Sequence, residues 1–417
     1  MLKKSYFGAI MKKLIVNGGI PLRGRINVNG SKNAALPMLF ASIIAEGISV
    51  LDNFPYIGDT EVAMRILESL GVSFSKEGKR LYIDTRNMKY VLPDPHLTAK
   101  LRASTYLIGG CLARFGRIDL PESGGCNFAS RPIDLHVYAA ERLGARREGN
   151  TLVAENLQGR LISLSKPSVG ATANALILAS RASGITEIRG GAREPHILSL
   201  IDYLRSMGAS IEIVGDSLLV SSSGLHSGRA TVIGDMIEAA TYLIAGVLTE
   251  GSVEVSGVDA ESLSPFLLLL SDMGAAVDIT ENSIKIYAKS KLKFANAIAE
   301  PYPGLPTDIQ PLLAPLFAFN SGGHLSDRVF EGRFGYLSSL IPLGVRYRQD
   351  KDGTFLLPSL PQCGATEATD LRGGAACLLC ALAAPGESVI SSAQIILRGY
   401  ECPDCLLRSL GGIVSIE

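Results

Sequence analysis

The sequence predicts an α/β protein of two domains, each built from three copies of one helix-and-strand unit. Length is the first observation behind this. At 417 residues the chain is too long for one ordinary core, and two domains of roughly 200 residues are the natural division. Composition is the second. Hydrophobic residues make up 47% and charged residues 19%, which suits a well-buried globular chain and not a disordered one. The third is a recurring phrase: a helical segment ends in Leu-Gly or Met-Gly, then come a short strand, a polar turn and usually a second strand.

The phrase ends at Leu70-Gly71, Leu143-Gly144, Met207-Gly208, Met273-Gly274, Leu343-Gly344 and Leu410-Gly411. Each glycine suits the left-handed position just past a helix C-terminus. Helices before them, such as 59–70 and 199–207, carry apolar residues at three- and four-residue steps. After them come alternating stretches: 72–75 with 80–83, and 210–214 with 217–220. Alternation of period two marks strands with one buried face, and the polar turns between them mark hairpins. Successive glycines lie 64 to 73 residues apart, longer than a solenoid repeat, so each unit has room for two helices and about four strands. The six units divide near Gly234-Asp235-Met236 into two sets of three.

Charge and apolar runs exclude several functions. Lys+Arg and Asp+Glu both number 40, so no basic excess points to nucleic acid. No uninterrupted apolar run approaches the roughly 18 residues that span a bilayer. Met1 to Ile10 lacks the pattern of a secretory signal, and Met11-Lys12-Lys13-Leu14 reads as a second start, so residues 1–10 are expected to be an extension. An odd cysteine count, seven, fits a reduced cytoplasm. Cys377-x-x-Cys380 and Cys402-x-x-Cys405 resemble a four-thiolate zinc site on paper. The first pair lies in an apolar helical run, however, and core packing is the simpler account. The five histidines show no metal-ligand spacing, and no metal or other cofactor is expected.

Several segments carry chemistry. Gly124-Gly125 reads as a mobile turn before Cys126, with Arg131 five residues on. A nearby cation lowers a thiol's pKa, so Cys126 is a candidate reactive thiol, with a buried loop cysteine as the alternative. Gly30-Ser31-Lys32-Asn33-Ala34-Ala35-Leu36-Pro37 comes before an apolar helix, Met38 to Ala45; a Gly-Ser-Lys entry sets backbone N–H groups and an ammonium at one end, a good anion site. It is not a Walker loop, because the first glycine and its spacing are missing. Lys166-Pro167-Ser168-Val169-Gly170 is a second small-residue turn into a helix. Pro303 to Gln310 opens a third, where Asp308 is either a helix cap or a general base. Arg372 and Arg398 sit in glycine-flanked polar turns, a better setting for anion contacts than a lone surface arginine.

Nine segments in order resemble the UDP-N-acetylglucosamine enolpyruvyl transferases of the EPSP synthase superfamily. They are 30–37, 101–104, 124–136, 168–172, Ala192-Arg193-Glu194-Pro195, Pro306-Thr307-Asp308, Val329 to Phe334, Thr369 to Arg372, and Arg398-Gly399-Tyr400-Glu401. The resemblance runs from about Lys12 to Ile416. Each motif alone is weak; the ordered set is specific.

The resemblance implies two inside-out α/β, barrel-like domains, each of three βαβαββ repeats. It assigns residues 32–236 to the first domain, with the cysteine loop, and 11–31 plus 237–417 to the second. The implied reaction moves the enolpyruvyl group of phosphoenolpyruvate to the 3-hydroxyl of UDP-N-acetylglucosamine by addition and elimination, releasing phosphate. Lys32, Arg131 and Arg398 are implied to grip phosphoenolpyruvate, Cys126 to protonate its methylene carbon, and Asp308 to deprotonate or hold the sugar hydroxyl. Asn33, Arg102, Arg131, Pro132, Ile133, Asp134, Leu135, Lys166, Ser168, Val169 and Val329 are implied to contact the nucleotide sugar. Gly170, Arg333 and Arg372 complete the substrate-binding set.

The chain departs from the family pattern at Ala129, Met236, Gly373-Gly374 and Cys402-Pro403-Asp404-Cys405. A divergent member or second paralogue is the expectation. The alternatives are a paralogue with another acceptor and an inactive nucleotide-sugar-binding regulator. The sister activity on shikimate 3-phosphate uses no loop cysteine, so Cys126 argues against it.

Overall fold

The structure, a computed structural model, describes residues 11–120, 124 and 132–417. Cys126 and Arg131 lie outside the described residues, as does Ala129. The chain divides into two compact units. One runs from Gly30 to Ile233; the other combines residues up to Asn29 with Gly234–Glu417.

Six sheets form among the described residues, one for each Leu-Gly or Met-Gly ending. Five have four strands and share one plan. Leu161–Ser163 runs parallel to Thr186–Arg189, which pairs antiparallel with Ser217–Ser222, and that strand closes a hairpin with Ala209–Val214. The sixth sheet has three strands, Arg117–Asp119, Thr151–Val153 and Arg146–Glu148. All six expected glycines have positive φ: 89° at Gly71, 106° at Gly144, 99° at Gly208, 102° at Gly274, 95° at Gly344 and 90° at Gly411. At Gly71 the capping bonds are both present, Gly71 N–H to Glu68 O at 2.9 Å and Val72 N–H to Leu67 O at 3.1 Å. A left-handed residue is what lets the chain satisfy these last carbonyls and turn back into a strand.

The unit containing the C-terminus borrows a strand from the start of the chain. Leu14–Gly18 lies between Gly386–Ser391 and Ile413–Ile416, antiparallel to both. In the sheet described above, the equivalent middle strand comes last in its repeat. Here it comes first among the described residues.

Helices form the interior. In one unit Met236–Leu248, Gln310–Ala318 and Leu371–Ala383 pack on one another, and nearly every residue in them is buried. In the other, Lys32–Ala41, Leu107–Phe115 and Val169–Ala179 are buried to a similar degree. A helix apolar on all sides belongs in a core, and the hairpin strands, buried on alternate residues, cover it. This is the inside-out arrangement that the resemblance implied. The apolar helix expected at 38–45 begins earlier, at Lys32, and tightens into a 3-10 turn over Ser42–Ile44. No helix among the described residues is long and apolar enough to cross a membrane.

Candidate active site

Asp308 follows the Pro306-Thr307 turn and comes just before the Gln310–Ala318 helix. The capping role weighed for it is not what the structure shows: the N-cap residue is Ile309, with no side-chain cap. Instead its carboxylate is gripped by two buried arginines. Arg333 Nη2 lies 3.0 Å from Oδ1, and Arg372 donates to Oδ2 from Nε at 3.1 Å and Nη2 at 2.9 Å. Charge-assisted bonds of this kind are about twice as strong as neutral ones, and the arginine fork fixes direction as well as distance. The Asp308 side chain stays 26% exposed.

Arg372 corrects the sequence reading. It is not in a polar turn but in the first turn of the Leu371–Ala383 helix, 2% exposed. Asp370 caps that helix by accepting from the Arg372 and Gly373 amides at 3.0 and 2.9 Å. Burial alone would pull the guanidinium pKa down. The charge of Asp308, then that of Asp235, and the hydrogen bonds to Asp308 outweigh it and hold the pKa above arginine's ordinary value. The Tyr400 ring lies 5.6 Å from the guanidinium, and its hydroxyl shares a 2.8 Å hydrogen bond with Thr241. Arg372 Nη1 is buried without a hydrogen-bond partner among the described residues.

The Val329 turn joins the same cluster. Arg333 Nη1 donates to Thr307 O at 3.0 Å and to Thr307 Oγ1 at 2.9 Å. The Thr307 hydroxyl in turn donates to Asp327. Asp327 Oδ1 accepts from the Val329 and Phe330 amides at 2.9 and 2.8 Å. Burial pushes the Asp327 carboxyl up, against these bonds. Arg398 ends a 3-10 helix, Ala393–Arg398, that packs on the helix carrying Arg372. The Gly373-Gly374 departure has a packing reason: a Cβ on Gly373 would lie 2.5 Å from Tyr336 Cβ, and one on Gly374 2.7 Å from Ile396 Cγ1.

The other unit holds two further groups. Lys32 is the first residue of its helix, and its ammonium lies 3.3 Å from Asp59 Oδ2, with side-chain exposures of 13% and 6%. Asp59 itself sits in the first turn of the Gly58–Ser69 helix, where a negative charge suits the helix dipole. Asn33, next to Lys32, is half-buried. Sequence reading placed Asp59 on a helix but gave it no role, because 27 residues separate it from Lys32.

The second group centres on His136. Its Nδ1 lies 2.6 Å from Asn174 Nδ2, and Asn174 Oδ1 accepts from the Gly109 amide at 2.7 Å. Because Nδ2 is a donor, His136 Nδ1 must accept and the ring is neutral. Burial, then the Arg102 charge, lower its pKa to about 4, against the pull of Asp134. A Cβ on Gly170 would lie 2.8 Å from the imidazole, so glycine is what lets the Ser168–Gly170 turn seat on it. Ser168 caps the Val169–Ala179 helix by accepting from Ala171 N at 3.3 Å. Arg102 Nη2 reaches Pro132 O at 3.4 Å, and Ile133 leads into the Asp134–Arg142 helix, which carries Leu135. Lys166 is exposed just before the turn. His136 and Asn174 thus bring together Arg102, the 132–135 segment and the 168–170 turn. Only His136 fell within a quoted motif, and neither was singled out. Gly124, at the entry to the cysteine segment, is fixed by close approach: an added Cβ would lie 1.5 Å from Ala99 O.

The family model described as EPSP synthase (3-phosphoshikimate 1-carboxyvinyltransferase) matches residues 16–403. UDP-N-acetylglucosamine 1-carboxyvinyltransferase 3 of Caldanaerobacter subterraneus is 36% identical over 409 residues, 96% of this chain and 98% of that protein. UDP-N-acetylglucosamine 1-carboxyvinyltransferase of Halothermothrix orenii is 38% identical over 410 residues, again 96% and 98%. Among solved structures, the enolpyruvyl transferase NikO from Streptomyces tendae aligns with TM-score 0.87 and 25% identity, over 97% of this chain and 99% of that one. EPSP synthase from Acinetobacter baumannii aligns with TM-score 0.74 and 17% identity, over 98% and 100%, a likeness of fold alone. The chain belongs to the EPSP synthase family of 1-carboxyvinyl (enolpyruvyl) transferases, among the UDP-N-acetylglucosamine 1-carboxyvinyltransferases.

Proposed function

We propose that this protein transfers the enolpyruvyl group of phosphoenolpyruvate to the 3-hydroxyl of UDP-N-acetylglucosamine and releases phosphate, a first step toward peptidoglycan. The observation that carries the reading is Asp308 held between Arg333 and Arg372. An ionised carboxylate accepts only, and this one is oriented by charge-assisted bonds on a side chain that stays partly exposed. Asp308 takes the proton of the sugar hydroxyl as its oxygen bonds to C2 of phosphoenolpyruvate. Cys126 gives a proton to the methylene carbon, completing addition. Elimination then removes a proton from that carbon as the C–O bond to phosphate breaks, regenerating the double bond on the sugar ether.

Lys32, Arg131 and Arg398 grip the phosphate and carboxylate of phosphoenolpyruvate in this scheme. A small, multiply charged anion needs several charged donors. Asn33, Arg102, the 131–135 segment, Lys166, the 168–170 turn and Val329 take the nucleotide sugar, with Arg372 beside Asp308. The free thiols of Cys111, Cys363, Cys377 and Cys380 fit a cytoplasmic setting. A phosphate-release assay with a panel of acceptors tests the reading. Release with UDP-N-acetylglucosamine is expected. Release only with another nucleotide or with shikimate 3-phosphate would move the chain to a paralogous activity, and none with any acceptor would leave a binding protein.

A further inference from the structure

We propose that Cys402 and Cys405 are a reversible thiol–disulfide pair that tunes the hold of the Arg398 segment on anionic substrate, an inference that rests on the reaction proposed above. The two sulfurs are bonded in the structure, and both residues are exposed. The other described cysteines are free. In a cytoplasmic protein a disulfide is usually transient, catalytic or redox-sensing, and an exposed one exchanges readily.

The pair is placed to act on the site. Cys402 follows Tyr400 by two residues and Arg398 by four. It is left-handed, with φ 48°, although it is not glycine. Ser392, just before the 3-10 helix that ends in Arg398, is also left-handed, with φ 57°. Two strained residues thus bracket the arginine, and such strain persists only where the surroundings enforce it. The disulfide is the covalent part of that enforcement at Cys402. Opening it lets Cys402 relax toward ordinary φ. The displacement passes through Glu401, whose carbonyl accepts from Asn29 Nδ2 at 3.4 Å, to Tyr400, wedged between Thr241 and the Arg372 guanidinium.

The redox chemistry is thiol–disulfide exchange with a low-molecular-weight disulfide. Arg408 Nη2 lies 3.5 Å from Cys405 Sγ and favours its thiolate, whereas Asp404 Oδ1 lies 3.5 Å from Cys402 Sγ. Cys405 is therefore the attacking sulfur. Its thiolate bonds to one sulfur of the external disulfide and expels one thiolate. Cys402, losing its proton, then attacks Cys405 and expels the second. The pair loses two electrons and two protons, and the external disulfide gains them as two thiols. The two sulfurs and an Asp404 oxygen lie within 4.8 Å of one another, so a thiophilic metal on the reduced pair is the competing fate.

The test equilibrates full-length protein in glutathione buffers from fully reduced to fully oxidised, traps thiols by alkylation and maps residues 402 and 405 by mass spectrometry. One two-electron transition is expected. In parallel, the KM for phosphoenolpyruvate is measured at saturating nucleotide sugar for wild type, Cys402→Ser and Cys405→Ser. Reduction should raise that KM at least threefold in wild type and leave the nucleotide-sugar KM unchanged. Both variants should keep the reduced value in every buffer. Effects on Cys126 are common to all three proteins and subtract. Equal KM in wild type and Cys402→Ser under oxidising conditions would overturn the proposal. So would an alkylation pattern that never changes, or one zinc ion retained by the reduced protein that blocks reoxidation. Should the protein turn over no acceptor, the reaction reading fails separately. The coupling is then scored by the phosphoenolpyruvate-induced rise in thermal midpoint, expected to be larger oxidised than reduced; equal rises would sink it.

Discussion

Arg372 donates two hydrogen bonds to one oxygen of Asp308 from a position 2% exposed to solvent, and 64 residues separate the two in sequence. Arg333 takes the other carboxylate oxygen at 3.0 Å. Two helices and a turn therefore converge on one carboxylate, and a change there has to affect both chemistry and stability.

Asp308→Asn is expected to do both. Losing the proton acceptor should slow the chemical step by about a hundredfold or more. It should also lower unfolding stability by roughly 3 kcal/mol, because two buried guanidinium groups lose their counter-charge. Single-turnover rate and denaturant unfolding measure the two losses separately. A normal rate with lowered stability would return Asp308 to a purely structural role.

Much of the fold was legible because its signals are local. The Leu-Gly and Met-Gly endings needed only the left-handed preference of a residue after a helix, and all six glycines obey it. The site was legible only in part. The Lys32–Asp59 and Asp308–Arg372 pairs depend on packing between distant segments, which periodicity does not encode. Arg372 read as part of a polar turn because glycines flank it, yet those glycines serve close helix packing against Tyr336 and Ile396. Asn174 drew no reading at all, because its partners His136 and Gly109 lie 38 and 65 residues away. The two Cys-x-x-Cys pairs looked alike on paper. One is buried in a helix and the other is an exposed disulfide.

The Lys32–Asp59 pair predicts a graded loss. Lys32→Ala should weaken phosphoenolpyruvate saturation by the worth of a charged hydrogen bond, about 1.5–3 kcal/mol. Asp59→Asn removes the partner that holds the ammonium at 3.3 Å and should raise the same KM by a smaller factor, with the nucleotide-sugar KM unmoved. Arg398→Ala should resemble Lys32→Ala. Unchanged phosphoenolpyruvate saturation in Arg398→Ala would remove that arginine from the anion site.

Thiol labelling should single out Cys126. Burial pushes the Cys111 and Cys377 thiols up to about 12 and raises Cys380 well above its ordinary value, so none of the three offers thiolate at neutral pH. Cys402 and Cys405 are consumed in their disulfide. Exposed Cys363 is the competitor among the described residues. An epoxide that mimics phosphoenolpyruvate should modify Cys126 first and abolish turnover, as should Cys126→Ala, while nucleotide-sugar binding survives. Intact-protein mass spectrometry with peptide mapping decides it. Equal labelling of Cys363 and Cys126 would show that Cys126 is not specially activated.

His136 predicts the acid side of the stability profile. Its folded pKa, about 4, is below the ordinary 6.5, first because the ring is buried and then because Arg102 is near. The unfolded chain therefore binds a proton between pH 6.5 and 4 that the folded chain refuses. Linkage makes stability rise with pH across that window. The contribution is fully present above pH 6.5 and is lost as pH falls toward 4. Its size is roughly 3 kcal/mol at most, from the free energy of one pKa unit. His136→Gln removes the titration and keeps an acceptor within reach of Asn174. Denaturant unfolding of both proteins at pH 7 and pH 4.5 isolates the effect. The wild type should lose roughly 2–3 kcal/mol more than the variant over that interval. Parallel losses would mean that His136 carries a proton in the folded protein, and the neutral ring accepting from Asn174 would have to be abandoned.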